Sequence, residues 1–122
     1  MRPEQRDPAC LWDMLEAGKD VVRYLGDLSL AQFLADEKDM TRLAIERKLE
    51  ILGEAARRIS ESFQQAHPEI PWTDIIGLRN VISHQYDKVD YEEIFRIVRQ
   101  RVPDLIALLE PLVPSLPPED AS

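Results

Sequence analysis

Apolar residues recur along this chain at intervals of three and four, and no stretch alternates with the period of two that a strand requires. Leu11, Leu15, Val22 and Leu25 form a first stripe, widened by Met14, Val21 and Tyr24. Gly18 lies on that stripe and allows another helix to approach closely. Asp7-Pro8 reads as an N-cap followed by a first-turn proline, so a helix is expected from there to about Gly26, with residues 1–7 loose. Ser29 and Gln32 have capping-box spacing ahead of a short helix over about 30–35. Ile45, Leu49, Leu52, Ala56, Ile59 and Phe63 make a bundle-type seam, which predicts one long helix over about 38–66. Pro68 and Pro71 break it, and Trp72 is expected to pack as a lid before a helix over about 73–84. Asp90 caps a last helix carrying Tyr91, Phe95, Val98, Val102, Leu105, Leu109 and Leu112. Pro103 predicts a kink within it, because the stripe continues unshifted. Pro111, Pro114, Pro117 and Pro118 end the fold, and the tail over 114–122 is expected to be disordered. The pattern predicts an all-α, antiparallel up-and-down helical bundle with an additional short helix, as a single domain over 1–122.

Composition narrows the class. With 44% hydrophobic and 31% charged residues, only four glycines and 122 residues, the chain suits one helical domain with one core. Its single cysteine, Cys10, has no intrachain partner and fits a reducing cytoplasm or a small apolar core position. The sequence lacks a transmembrane-length apolar run, a signal-peptide pattern and a spaced Cys/His set for zinc, so no membrane, metal or cofactor is expected. A net charge of −8 counts against tight, non-specific binding of nucleic acid. It leaves room for a local basic patch, and the predicted long helix carries Arg42, Arg47, Lys48, Arg57 and Arg58. Taken singly, each of these reads first as a solvated charge, and together they offer a guide for RNA or a nucleotide.

Chemistry concentrates in Gly77-Leu78-Arg79-Asn80-Val81-Ile82-Ser83-His84-Gln85-Tyr86. On a helix, Ile75, Leu78 and Ile82 form an apolar line, and Gly77, Asn80 and His84 form another on a different side. Asn80 then lies one turn from the His84 ring, and Gly77 opens space beyond it. Arg79 and His84 are five apart, which an ideal helix splays by roughly 140°. A helix end near His84, or a second copy of the chain, would bring them together. Arginine grips phosphate and histidine moves protons near neutrality. Structural roles fit the same residues: a histidine capping a helix end, an arginine paired with a carboxylate, and a packed Tyr86 with a wet hydroxyl.

Arg79-x-x-x-x-His84-x-Tyr86, with Asn80 directly after the arginine, resembles the signature of the HepT-like proteins of the HEPN superfamily. Two further segments match in order and spacing. Ile51-Leu52-Gly53-Glu54-Ala55-Ala56 resembles the family's Gly-Glu-Ala segment, and Pro68-Glu69-Ile70-Pro71-Trp72 resembles its Pro-x-Ile-Pro-Trp linker. The resemblance covers roughly residues 8–113. It implies a homodimer and a metal-independent endoribonuclease toxin acting on RNA. It also implies a MntA-type nucleotidyltransferase antitoxin as partner, which adenylylates the tyrosine at position 86.

Under this reading Arg79, Asn80 and His84 are the candidate catalytic residues and Tyr86 the modification site. Gly77, Ser83 and Glu54 are candidate supports, although the default reading of Glu54 is a solvated or helix-supporting carboxylate paired with Arg58 four residues on. One chain supplies one motif histidine, whereas cleavage by the RNA's own 2′-hydroxyl needs a base and an acid. A two-fold dimer supplies the second. The alternative is a non-catalytic subunit that binds a nucleotidyltransferase or a nucleotide, with the motif as its recognition surface.

Overall fold

The computed structural model describes residues 2–35, 40–82 and 89–113. Helices α1 (Pro3–Leu25), α2 (Leu30–Leu34), α3 (Met40–Arg58) and α4 (Glu61–Ala66) form the first half. The second half holds α5 (Trp72–Ile76), α6 (Leu78–Ile82), α7 (Tyr91–Arg96) and α8 (Val102–Leu109). A π-helical turn over Ile97–Arg101 joins α7 to α8, and a 3₁₀ turn over Glu110–Leu112 follows. No strand occurs among the described residues, and the fold is an all-α helical bundle.

The stripes read from the sequence form the core. Met14, Val21, Ile45, Leu49, Ala56 and Leu109 are fully buried, and Leu52 and Val98 nearly so. Asp7, near the start of α1, reaches Ser60 past the end of α3, while Asp20 farther along α1 meets Lys48 at 3.1 Å. The two helices therefore run antiparallel. The Arg99 guanidinium donates to the carbonyls of Gly26 and Leu28 beyond the end of α1. Farther back on α1, a Cβ on Gly18 would lie 3.5 Å from Val102 and Ile106. The last helical run is thus also antiparallel to α1. Caps at two other starts follow the sequence: Ser29 and Gln32 exchange hydrogen bonds of 3.1 and 2.9 Å, and Asp90 accepts from the Glu93 N–H at 3.1 Å.

Four expectations change. First, α1 begins at Pro3, so part of the segment expected to be loose is helical. Gln5 folds its side chain back onto the Arg2 N–H at 2.9 Å and forms the cap there. Asp7 is not an N-cap but a buried carboxylate inside the helix.

Second, the helix expected over 38–66 is two helices with a break at Ile59-Ser60. Asp7 explains the break: its carboxylate accepts the Ser60 N–H at 2.8 Å and the Ser60 hydroxyl at 2.6 Å. The same hydroxyl accepts from the Phe63 N–H at 3.2 Å, starting α4.

Third, the helix expected over 73–84 is interrupted at Gly77, where the Asn80 N–H bonds three residues back to the Gly77 carbonyl at 2.9 Å. Fourth, Pro103 is accommodated by the π turn instead of a simple kink. Proline cannot donate to the carbonyl four residues back and its ring crowds that carbonyl. The turn ahead of it widens, and the Val102 N–H reaches the Ile97 carbonyl five residues back. Residues 114–122, expected to be disordered, lie outside the described residues.

Candidate active site

Three apolar contacts and one glycine present the motif. Ile75, Leu78 and Ile82 are buried, as their spacing predicts, which fixes the inward face of α5 and α6. Trp72 anchors the start of α5: its indole N–H donates to the His67 carbonyl at 2.9 Å, and its ring meets Phe63 edge-on. The anchored ring is 8% exposed, as expected of a lid. Gly53 of α3 faces α5 across a very short gap. A Cβ there would lie 3.1 Å from the Ile75 carbonyl oxygen, so only glycine leaves that carbonyl its place. Ala55 and Ala56 beside it are buried. The Gly-Glu-Ala segment thus has a packing reason for its small residues.

With Leu78 and Ile82 turned inward, Arg79 and Asn80 are exposed. Neither side chain has a hydrogen-bond or ion-pair partner among the described residues. Gly77 is half-buried, and a Cβ there would lie 3.1 Å from the Thr73 carbonyl oxygen of its own preceding turn. Ser83, His84 and Tyr86 lie outside the described residues, and so does the convergence of Asn80 with His84.

Glu54 is exposed on the outer face of α3, where its carboxylate takes two hydrogen bonds from Arg57, at 2.6 and 3.2 Å. The partner is therefore three residues away, not Arg58. An arginine fork closes at this spacing because positions three apart share a helix face. The Arg57 hydrogen bonds hold the Glu54 carboxyl below the usual carboxylate range, with smaller contributions from the charges of Arg57, Arg58 and Arg79. Arg79 thus lies close enough for Glu54 to feel it, although the two are 25 positions apart in the sequence.

Where α3 meets α5 and α6 these groups line a concavity of about 310 Å³, together with Arg47, Glu50, Gly53 and Ile76. Arg47 is held by Glu50 at 3.4 Å. The other cations of the long helix divide differently. Lys48 pairs with Asp20, and Arg42 donates to the Leu34 carbonyl and stacks over Tyr91. The convergence of Arg47 and Arg57 on Arg79 was not foreseen. Its only sequence signal is the spacing of Arg47, Glu50, Glu54 and Arg57 along one polar helix face.

On the opposite side of α6, a second cleft of about 370 Å³ is lined by Leu78, Val81, Ile97, Val102 and Leu105. Arg101 and Asp74, which also line it, approach each other to 3.6 Å. No helix among the described residues is long and apolar enough to cross a membrane.

An exposed arginine and asparagine on a short helix, set against the Gly-Glu-Ala face of a bundle helix, define the class. The family profile described as "Ribonuclease HepT-like" matches residues 14–112, and the chain belongs to that family. A Methanocaldococcus jannaschii protein named "Putative RNase MJ1380" is 38% identical over 97 residues, covering 80% of this chain and 87% of its own. A second from that organism, "Putative RNase MJ0127", is 35% identical over 118 residues, covering 97% and 96%. "Probable ribonuclease HepT" of Thermococcus cleftensis is 34% identical over 102 residues, covering 84% and 91%. No solved structure matches the chain.

Proposed function

We propose that the chain is the toxin of a toxin–antitoxin pair, a metal-independent endoribonuclease whose active site is completed across a homodimer. The observation that carries this reading is Arg79: a permanently charged guanidinium, exposed beside Asn80 and without a carboxylate of its own among the described residues. Family membership supports the substrate class. In the reaction, the RNA 2′-oxygen attacks the adjacent phosphorus and loses its proton to a base. The bond from phosphorus to the 5′-oxygen breaks, and an acid protonates that leaving oxygen. His84 serves as base or acid, and the second copy's histidine takes the other role. Arg79 neutralises charge on the phosphorane, and Asn80 orients the histidine ring or the phosphate. The products are a 2′,3′-cyclic phosphate and a free 5′-hydroxyl.

Tyr86, two residues beyond His84, is assigned as the acceptor of AMP from a MntA-type nucleotidyltransferase antitoxin. An added phosphate there would exclude the substrate phosphate by charge and bulk. The acidic balance of the chain, −8, favours one other reading, a non-catalytic subunit that docks a nucleotidyltransferase or a nucleotide.

The test incubates purified full-length chain with total RNA in EDTA, beside a folded His84→Ala variant, with the mass of Tyr86 checked as unmodified. Cleavage with 5′-hydroxyl ends, lost in the variant, is the expected result. Intact RNA, or 5′-phosphate ends, would overturn the mechanism. Tyr86→Phe is expected to keep cleavage and to resist adenylylation; modification of that variant at another residue would reassign the site.

A further inference from the structure

We propose that Arg47 and Arg57 join Arg79 in gripping the RNA backbone on either side of the cut, with α3 as the wall along which the strand lies. This deepens the ribonuclease reading and rests on it for the position of the cut. Three observations carry it. Arg47, Arg57 and Arg79 line one concavity, although they come from two separate helices. A neighbouring hollow shares Glu54 and Arg57 with it and adds Arg6, Arg58 and Glu61. The joined surface holds five arginines and three glutamates, a net of two positive charges on a chain whose total is −8. Finally, Gly53 lines the same concavity and brings no side chain into it.

Within the groove Glu50 holds Arg47 and Glu54 holds Arg57, each three residues away on the same helix. Both pairs are largely exposed, so water already weakens them. A phosphodiester is tetrahedral, but its two non-bridging oxygens accept a guanidinium's paired N–H groups as a carboxylate does, so it can take the glutamate's place. The two glutamates compete with any anion for Arg47 and Arg57, which weakens binding of anything that offers fewer than two phosphates. The occupant is a single RNA strand, whose successive phosphates meet arginines supplied by two separate helices.

The test uses the full-length dimer, a labelled single-stranded RNA in EDTA, and Arg47→Ala, Arg57→Ala and Glu54→Gln variants. Arg23→Ala, on the outer side of α1, is the control. Binding is read as the slope of log affinity against log salt, and cleavage as KM and kcat. Each groove arginine lost is expected to reduce the slope by about 0.7, the amount one phosphate contact contributes on a single strand. The same variants raise KM by about fivefold to tenfold, and Arg57→Lys recovers part of the loss, because lysine keeps the charge without the fork. Glu54→Gln tightens binding. Cleavage by the native chain with native slopes in both arginine variants overturns the groove and leaves the nuclease standing. Arginine-dependent binding without cleavage supports the groove and overturns the nuclease. A native chain that binds no RNA overturns the groove outright.

Discussion

Two helices that the sequence draws as continuous are each broken once, at Ser60 and at Gly77, and the breaks have different origins. The break at Ser60 is imposed from 53 residues away, by the buried carboxylate of Asp7. It sits inside the bundle and ties α1 to the junction of α3 and α4. The break at Gly77 is local. Its own turn makes the hydrogen bonds, from Gly77 N–H to Thr73 and from Asn80 N–H to Gly77, both 2.9 Å. The first fixes how the scaffold closes; the second fixes where Arg79 and Asn80 emerge. Scaffold geometry here depends on a buried charge, and site geometry on small residues and close backbone contact.

Removing the carboxylate should separate the two most sharply. Asp7→Ala leaves the Ser60 N–H and hydroxyl with no carboxylate in a buried place, and a cost of about 3 kcal/mol is expected. Thermal unfolding should fall by about 10 °C, while Arg79 keeps its place at the concavity. A fall of only a degree or two would mean that Asp7 does not hold the junction. Next in size is Gly53→Ala, which puts a Cβ 3.1 Å from the Ile75 carbonyl oxygen, so that α5 must give by a few tenths of an ångström. Overpacking is partly offset by the better helix propensity of alanine, so a net loss of about 1 kcal/mol is expected. RNA cleavage should fall by more than that stability loss implies, because α5 must shift and carry α6 with it. Unchanged activity in a destabilised variant would sever Gly53 from the site. Gly77→Ala is expected to have the smallest effect, below about 0.5 kcal/mol: φ is −73°, which alanine accepts, and the 3.1 Å approach to the Thr73 carbonyl of its own turn is offset by alanine's better helix propensity. Circular dichroism and a thermal melt decide it. A loss comparable with Asp7→Ala would show that the two breaks are alike after all.

The difference between the breaks also explains what could be read in advance. The buried stripes, the caps at Ser29 and Asp90, and the inward face of Ile75, Leu78 and Ile82 depend on residues three or four apart, so local spacing reveals them. Pro103 announced a disturbance, though not that a π turn would absorb it. Asp7 was misread because Asp-Pro is a sound local start signal, and the partner that overrides it lies far along the chain. In the site, Arg79 and Asn80 were legible as exposed polar residues against an apolar face. The gathering of Arg47, Arg57 and Arg79 was not, since it exists only once Gly53 has let α5 and α6 settle against α3.

Arg99 has a consequence for the order in which this molecule assembles. Most of the fold is helical and local, a topology that collapses quickly. The guanidinium of Arg99, stacked on Phe95, fastens to carbonyls as far as 73 residues back, at Gly26. A contact of that reach needs both helices in place, so it is expected to form near the end of the folding route, and Arg99→Ala measured by stopped-flow refolding and unfolding checks this. It therefore acts as a latch on the native state: its loss speeds opening and leaves the rate of closing almost unchanged.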